Sequence, residues 1–168
     1  MLIDTAPYLL GFDDSMAPCP GSVTLDAAPQ QIAVFLYDQF LTPVQGQYLV
    51  QFPTDVKMSY TSDVITISVG NKVDNFVQDV TPASGSAIFT SLHFTGPNNS
   101  TVALKFTSNS SIPSSVLSVL PVSCSVLLLG CHDGYTVESS GDTSPATCVE
   151  GLLHIQRVKI LHFKYRRE

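Results

Sequence analysis

The sequence predicts an all-β fold, an antiparallel β-sandwich of jelly-roll type with a short disulfide-bounded C-terminal extension. Three observations predict it. Short runs of β-branched and aromatic residues alternate with polar ones at a period of two, the signature of half-buried strands. Turn chemistry built on Gly, Pro, Asn and Ser interrupts these runs every ~8–12 residues, as in sandwiches and barrels. The chain of 168 residues is low in charge, with 13% charged against 44% hydrophobic residues. That charged fraction is about half the globular average, so Ser, Thr, Asn and Gln must cover much of the surface.

Taken in order, residues 1–30 carry Pro7, Pro18, Pro20 and Pro29 and read as an irregular lead-in. The sandwich is expected over residues 31–130. Its strand runs are Gln31–Tyr37, then Gln47–Phe52 after the Thr42-Pro43 break, then Val56, Met58 and Tyr60. Ile65, Ile67 and Val69 follow, then Phe76–Val80 and Ile88–Phe94. Val102, Leu104 and Phe106 give the cleanest alternation, which sets Lys105 on the opposite face. Val116–Gly130 is the most apolar stretch. It falls short of the ~20 residues of a membrane span, and Pro121, Ser123 and Ser125 interrupt it, so buried strands are expected there. Residues 131–168 form a Cys-bounded loop and a basic C-terminal segment, within which Leu152–Lys164 fits either a strand or a short helix.

Four cysteines allow two disulfides in three connectivities. None forms a C-x-x-C pair, so zinc and thioredoxin-like chemistry find no support. Cys131 and Cys148 bound a Gly/Ser/Thr-rich loop and are expected to pair, leaving Cys19 for Cys124. The sequons at Asn98, Asn99 and Asn109 add to the expectation of an extracellular or secreted glycoprotein. Against it, Met1–Phe12 has no basic n-region and no sustained apolar stretch, so it does not have the form of a signal peptide.

Residues 1–156 carry three Lys against thirteen carboxylates, while residues 157–168 carry Arg157, Lys159, Lys164, Arg166 and Arg167 against Glu168. An acidic body repels a phosphate backbone, so nucleic-acid binding through the main fold is not expected. Catalytic signatures are missing too. The chain holds no G-x-S-x-G elbow, no H-E-x-x-H and no Gly-rich phosphate loop. His132-Asp133 beside Cys131 reads as part of a structural loop, and His93 alternates with Leu92 and Phe94 towards solvent. The expectation is a non-enzymatic protein with no cofactor.

Between Gln47 and Ser118 the chain resembles a CUB domain, in particular the divergent CUB-like modules of nematode secreted proteins; the resemblance extends in outline over residues 31–120. Tyr48, Val50, Pro53, Val56 and Met58 stand in the family's order of aromatic, aliphatic, Pro and strand. Tyr60-Thr61-Ser62-Asp63 leads through Val64-Ile65-Thr66-Ile67 to Gly70, as the family's Tyr-Asp strand does, with two extra residues. The turn Asn98-Asn99-Ser100 is followed by an alternating strand and by Phe106-Thr107-Ser108-Asn109-Ser110-Ser111, similar to the family's closing element. The usual cysteine before the aromatic is absent, and so is the closing Gly-Phe. Of the family's calcium ligands, Asp63 matches one and Asn109 occupies a second position, and no Glu precedes Glu138. Calcium needs several oxygen ligands with sufficient negative charge, so no metal site is expected.

The resemblance implies a module that recognises a protein or glycan partner at the cell surface or in the matrix, in nematodes in a host-defence setting. Loops on a rigid β-scaffold would carry that contact. The candidates are Ser62-Asp63, Gly70–Asp74 with Asn71 and Asp74, and Asn98–Thr101. A self-assembling β-protein such as a viral coat or decoration subunit is the alternative, since low charge, many Ser and Thr and a basic terminus fit it as well.

Overall fold

The computed structural model describes residues 6–69, 72–73, 76–110, 118–131, 135–138 and 147–150. Alternation along the sequence becomes two faces of a sheet. The strands are β1 (Leu9–Gly11), β2 (Ser22–Thr24), β3 (Gln30–Tyr37), β4 (Thr54–Thr61), β5 (Thr66–Val69) and β6 (Lys72–Val73). They continue with β7 (Phe76–Asp79), β8 (Ser86–Thr95), β9 (Thr101–Ser110), β10 (Val122–Leu129), β11 (Tyr135–Glu138) and β12 (Thr147–Glu150). Among the described residues one helix, α1 (Gln47–Gln51), lies between β3 and β4.

Ten of these strands make two five-stranded sheets, ordered β1-β3-β8-β5-β6 and β2-β10-β9-β4-β7. Neighbours run antiparallel except β2, which joins β10 in parallel. The inner faces pack together as an all-β sandwich. Val102, Leu104 and Phe106 of β9 and Val56 and Met58 of β4 are completely buried, whereas Lys57, Ser59, Ala103 and Lys105 face outward. The Phe106 ring meets Phe89 of the facing sheet at 5.4 Å and Phe12 at 5.7 Å, both edge-on, as aromatic quadrupoles prefer.

Central β3 is buried continuously from Ile32 to Leu36, so both of its faces are covered. Beside it in the same sheet, β8 carries one extra residue: Gln30 pairs with Leu92 while Ile32 pairs with Phe89. Ser91 absorbs the bulge at φ 58°.

Three expectations need correction. The run Gln47–Phe52 forms α1 rather than a strand. Gly46, at φ 77°, turns the chain into it, and the Tyr48 and Phe52 rings meet at a tilt one turn apart, centroids 5.2 Å apart. Within the helix Leu49 is buried and Val50 stays exposed. The lead-in is not wholly irregular, since it supplies β1 to the edge of β3 and β2 to the edge of β10. Finally, the apolar stretch ending at Gly130 forms one half-buried strand, β10. Val126 and Leu128 enter the core and Ser123 and Ser125 face solvent; residues 116–117 lie outside the described ones.

Both expected disulfides are present. Cys19–Cys124 ties the lead-in to β10, and Cys131–Cys148 staples the β11–β12 hairpin, which joins neither large sheet. No described helix is long and apolar enough to cross a membrane.

Candidate functional site

Two loops expected to carry contact meet at one end of the sandwich. Beyond Thr61, the Ser62 hydroxyl accepts the backbone N–H groups of Ile65 (2.8 Å) and Val64 (3.3 Å) and folds the β4–β5 loop into a compact turn. The β8–β9 loop starts at Gly96, where a Cβ would stand 2.9 Å from Ile65 Cγ1 and 3.1 Å from the Val64 carbonyl oxygen. Only a residue without a side chain lets the two loops approach so closely. Asn99 takes the left-handed conformation at φ 60°, and its N–H donates to the Leu128 carbonyl at 2.8 Å. Leu128 N–H donates in turn to the Ser100 carbonyl at 2.8 Å. The Asn98 amide lies over Gly130, where a Cβ would be 3.3 Å from its nitrogen.

The resulting surface presents Asp63, Val64, Asn98 and Asn99 to solvent, with Ser62 half-buried beneath them. The carboxylate and the two amides can exchange hydrogen bonds with hydroxyls or peptide groups, and the exposed Val64 side chain can make apolar contact. Asn71 and Asp74 lie outside the described residues, as do His132 and Asp133. His93 is exposed, as alternation required. Among the described residues, no group of three or more His, Cys, Asp and Glu is placed to hold a metal ion.

Asn109 is not part of this end. It opposes Asp55 at the start of β4, whereas Asp63 follows the last residue of that strand. Six residue steps from Asp55 to Thr61 span about 20 Å, so the two positions matching the family's calcium ligands stand at opposite ends of the sheet.

Asn109 belongs instead to a groove of about 600 Å³ that sequence reasoning missed. Leu49, Val50, Pro53, Val80 and Pro82 form its apolar walls, and Thr54, Asp55, Asp79 and Asn109 its polar side. Asp79, Asp55 and Asn109 form one row across β7, β4 and β9. Asp55 Oδ1 is buried without a hydrogen-bond partner. Alternation along β4 does put Asp55 opposite to Val56, but the row exists only through the register of three strands. Close by, burial raises the Tyr48 phenol above its ordinary range.

Compared with known proteins, no family model matches the chain and no curated protein matches it, so the reading of these sites rests on their geometry.

Proposed function

We propose that the protein is an extracellular, non-catalytic binding module that recognises a protein or glycan partner through the Ser62–Val64 and Asn98–Ser100 loops. The observation carrying this reading is the convergence of those loops on a frame whose N-terminal segment is covalently closed onto β10 by Cys19–Cys124. A loop held by Ser62 and by the reciprocal bonds around Leu128 is pre-organised, so binding loses little conformational entropy there. Two disulfides suit an oxidising compartment. The CUB-like resemblance, with its jelly-roll sandwich, supports the same assignment and suggests a host-defence or matrix setting. Glycans on Asn98 or Asn99 would stand on this face and narrow the contact to the Ser62–Val64 side; Asn109 would carry its glycan beside the groove.

The test uses natively expressed protein. Mass spectrometry is expected to show both disulfides intact and at least one occupied sequon. Biotinylated protein is then applied to a glycan array and to cell surfaces, with Ser62→Ala/Asp63→Ala as the comparison. Binding lost in that variant supports the reading. Four free thiols with no glycan, or binding untouched by the variant, would overturn it.

A further inference from the structure

The groove beside α1 has one wall that the sequence marks for covalent modification. Asn109, in the sequon Asn109-Ser110-Ser111, is exposed and lines it. Strand register seats this side chain on the same sheet face as Asp55, its direct neighbour on β4, and Asp79, one strand further on β7. Adjacent strands lie ~4.8 Å apart, so the row from Asn109 through Asp55 to Asp79 runs about 10 Å. A sugar ring bonded to Asn109 Nδ2 is about as wide as one strand spacing. A pair of linked rings therefore reaches from Asn109 across Asp55 to Asp79.

The rest of the groove suits such an occupant. Its volume of about 600 Å³ falls within the ~300–1,000 Å³ of pockets that enclose drug-sized ligands, and a disaccharide is of that size. None of its lining residues is basic, and Asp55 Oδ1 is enclosed without a hydrogen-bond partner. Sugar hydroxyls and the N-acetyl N–H supply the donors that two carboxylates lack, and they bring no charge that must be desolvated. The last torsion of an aspartate turns in a broad well, so Asp55 can present either oxygen to them. Val50, Val80 and Pro82 offer apolar surface to the C–H face of a ring and to an acetyl methyl group. The walls are held in place beforehand. Gly46 N–H donates to the Pro82 carbonyl at 2.8 Å, and Val80 N–H to the Thr54 carbonyl at 2.8 Å.

We infer that the glycan borne by Asn109 folds back into this groove, with its first N-acetylglucosamine over Asp55 and its second against Asp79 and Val80, and so forms part of the folded surface. The inference rests on the extracellular reading above, which places the chain where sequons are modified. In the transfer from a lipid-diphosphate donor, the C1–N bond to Asn109 Nδ2 forms as the C1–O bond breaks. The diphosphate leaves with the electron pair, and Nδ2 gives up one proton. Tethering decides the energetics. A sugar linked to the rim is present at an effective concentration on the order of millimolar or higher, so contacts too weak to hold a free disaccharide are enough. The same cover shields exposed Val50 and the end of β7, the edge strand of its sheet. Bare edges of that kind pair readily with other chains.

Full-length protein secreted from eukaryotic cells tests it, with glycopeptide mass spectrometry reading each sequon. Asn109 is expected to be occupied. Hydrogen exchange of Gln47–Gln51 and of residues 80–85 is then compared with that of Ser111→Ala, which abolishes the sequon and leaves Asn109 in place. The sugar is expected to slow exchange there about fivefold, the worth of one net hydrogen bond. In Asp55→Ala/Asp79→Ala, still glycosylated and shown to be folded by circular dichroism, the slowing should vanish. Three results would overturn the inference while leaving the extracellular reading in place: glycan on Asn98 or Asn99 with Asn109 bare, an occupied Asn109 that leaves exchange unchanged, or slowing that persists without the two carboxylates. Four free thiols with no glycan on any sequon would overturn both.

Discussion

Removing the Cys19–Cys124 bridge by Cys19→Ala/Cys124→Ala should cost the sandwich far more than removing Cys131–Cys148. The first bridge closes a loop of 105 residues and the second one of 17. Loop-closure entropy in the unfolded chain then predicts about 4.7 kcal/mol for the first and about 3 kcal/mol for the second. The second figure, however, applies only to the unit that the bridge constrains. Strands β11 and β12 pair with each other and join neither large sheet, so the sandwich should keep its stability to within about 0.5 kcal/mol when their staple is lost. Cys19 and Cys124 are instead packed against the core, and their bridge fixes β2 on β10. Urea unfolding followed by tyrosine fluorescence and far-ultraviolet circular dichroism measures both. The chain has six Tyr and no Trp, so the fluorescence is uncomplicated. A loss below about 1 kcal/mol for Cys19→Ala/Cys124→Ala would mean that the lead-in frays independently of the sandwich. An equal loss in the two variants would mean that the hairpin is part of the cooperative unit. Either result refutes the reasoning.

Three further outcomes are expected. Phe106→Ala removes a fully buried ring that touches both Phe12 and Phe89, so equilibrium unfolding should show a loss of about 3–5 kcal/mol. Gly85→Ala would set a Cβ 2.2 Å from the Val44 carbonyl oxygen at φ 68°; the same measurement should register roughly 3 kcal/mol or more. The Asp13 carboxyl is held below its ordinary 3.8 by the Ser15 hydroxyl at 2.6 Å, then by the Ser15 N–H at 2.9 Å. Because the folded value is the lower one, the stabilising contribution is complete above 3.8 and fades as pH falls through the depressed value. Carbon-detected NMR titration of Ser15→Ala should find the Asp13 midpoint moved back up; an unmoved midpoint would exclude the hydroxyl as its main cause.

Much of the sandwich was legible because strand alternation is local. Val102, Leu104 and Phe106 announce a buried face whatever their partners are, and the structure buries all three completely. The same holds for Val56 and Met58 and for exposed His93. The disulfide pairs were legible from the loop that Cys131 and Cys148 bound. Among the site residues, Ser62, Asp63, Asn98 and Asn99 announced themselves by turn chemistry, and the fold brings their loops to one end. Other features depend on partners distant in the chain. The three-residue strands β1 and β2 carry no period of their own and form because β3 and β10 offer edges to them. Gln47–Gln51 has strand-like composition but becomes helical, because between Gly46 and Pro53 it caps the end of the core instead of joining a sheet. The row Asp79–Asp55–Asn109 depends on the register of three strands, and a one-residue slip would send each to another face. Local composition thus determined that this chain is an all-β, disulfide-stapled protein. Tertiary structure alone decided that it carries a loop surface at one end and, at the other, an apolar-walled groove. Which side chains become neighbours is set by long-range pairing, and that pairing leaves no periodic trace in the sequence.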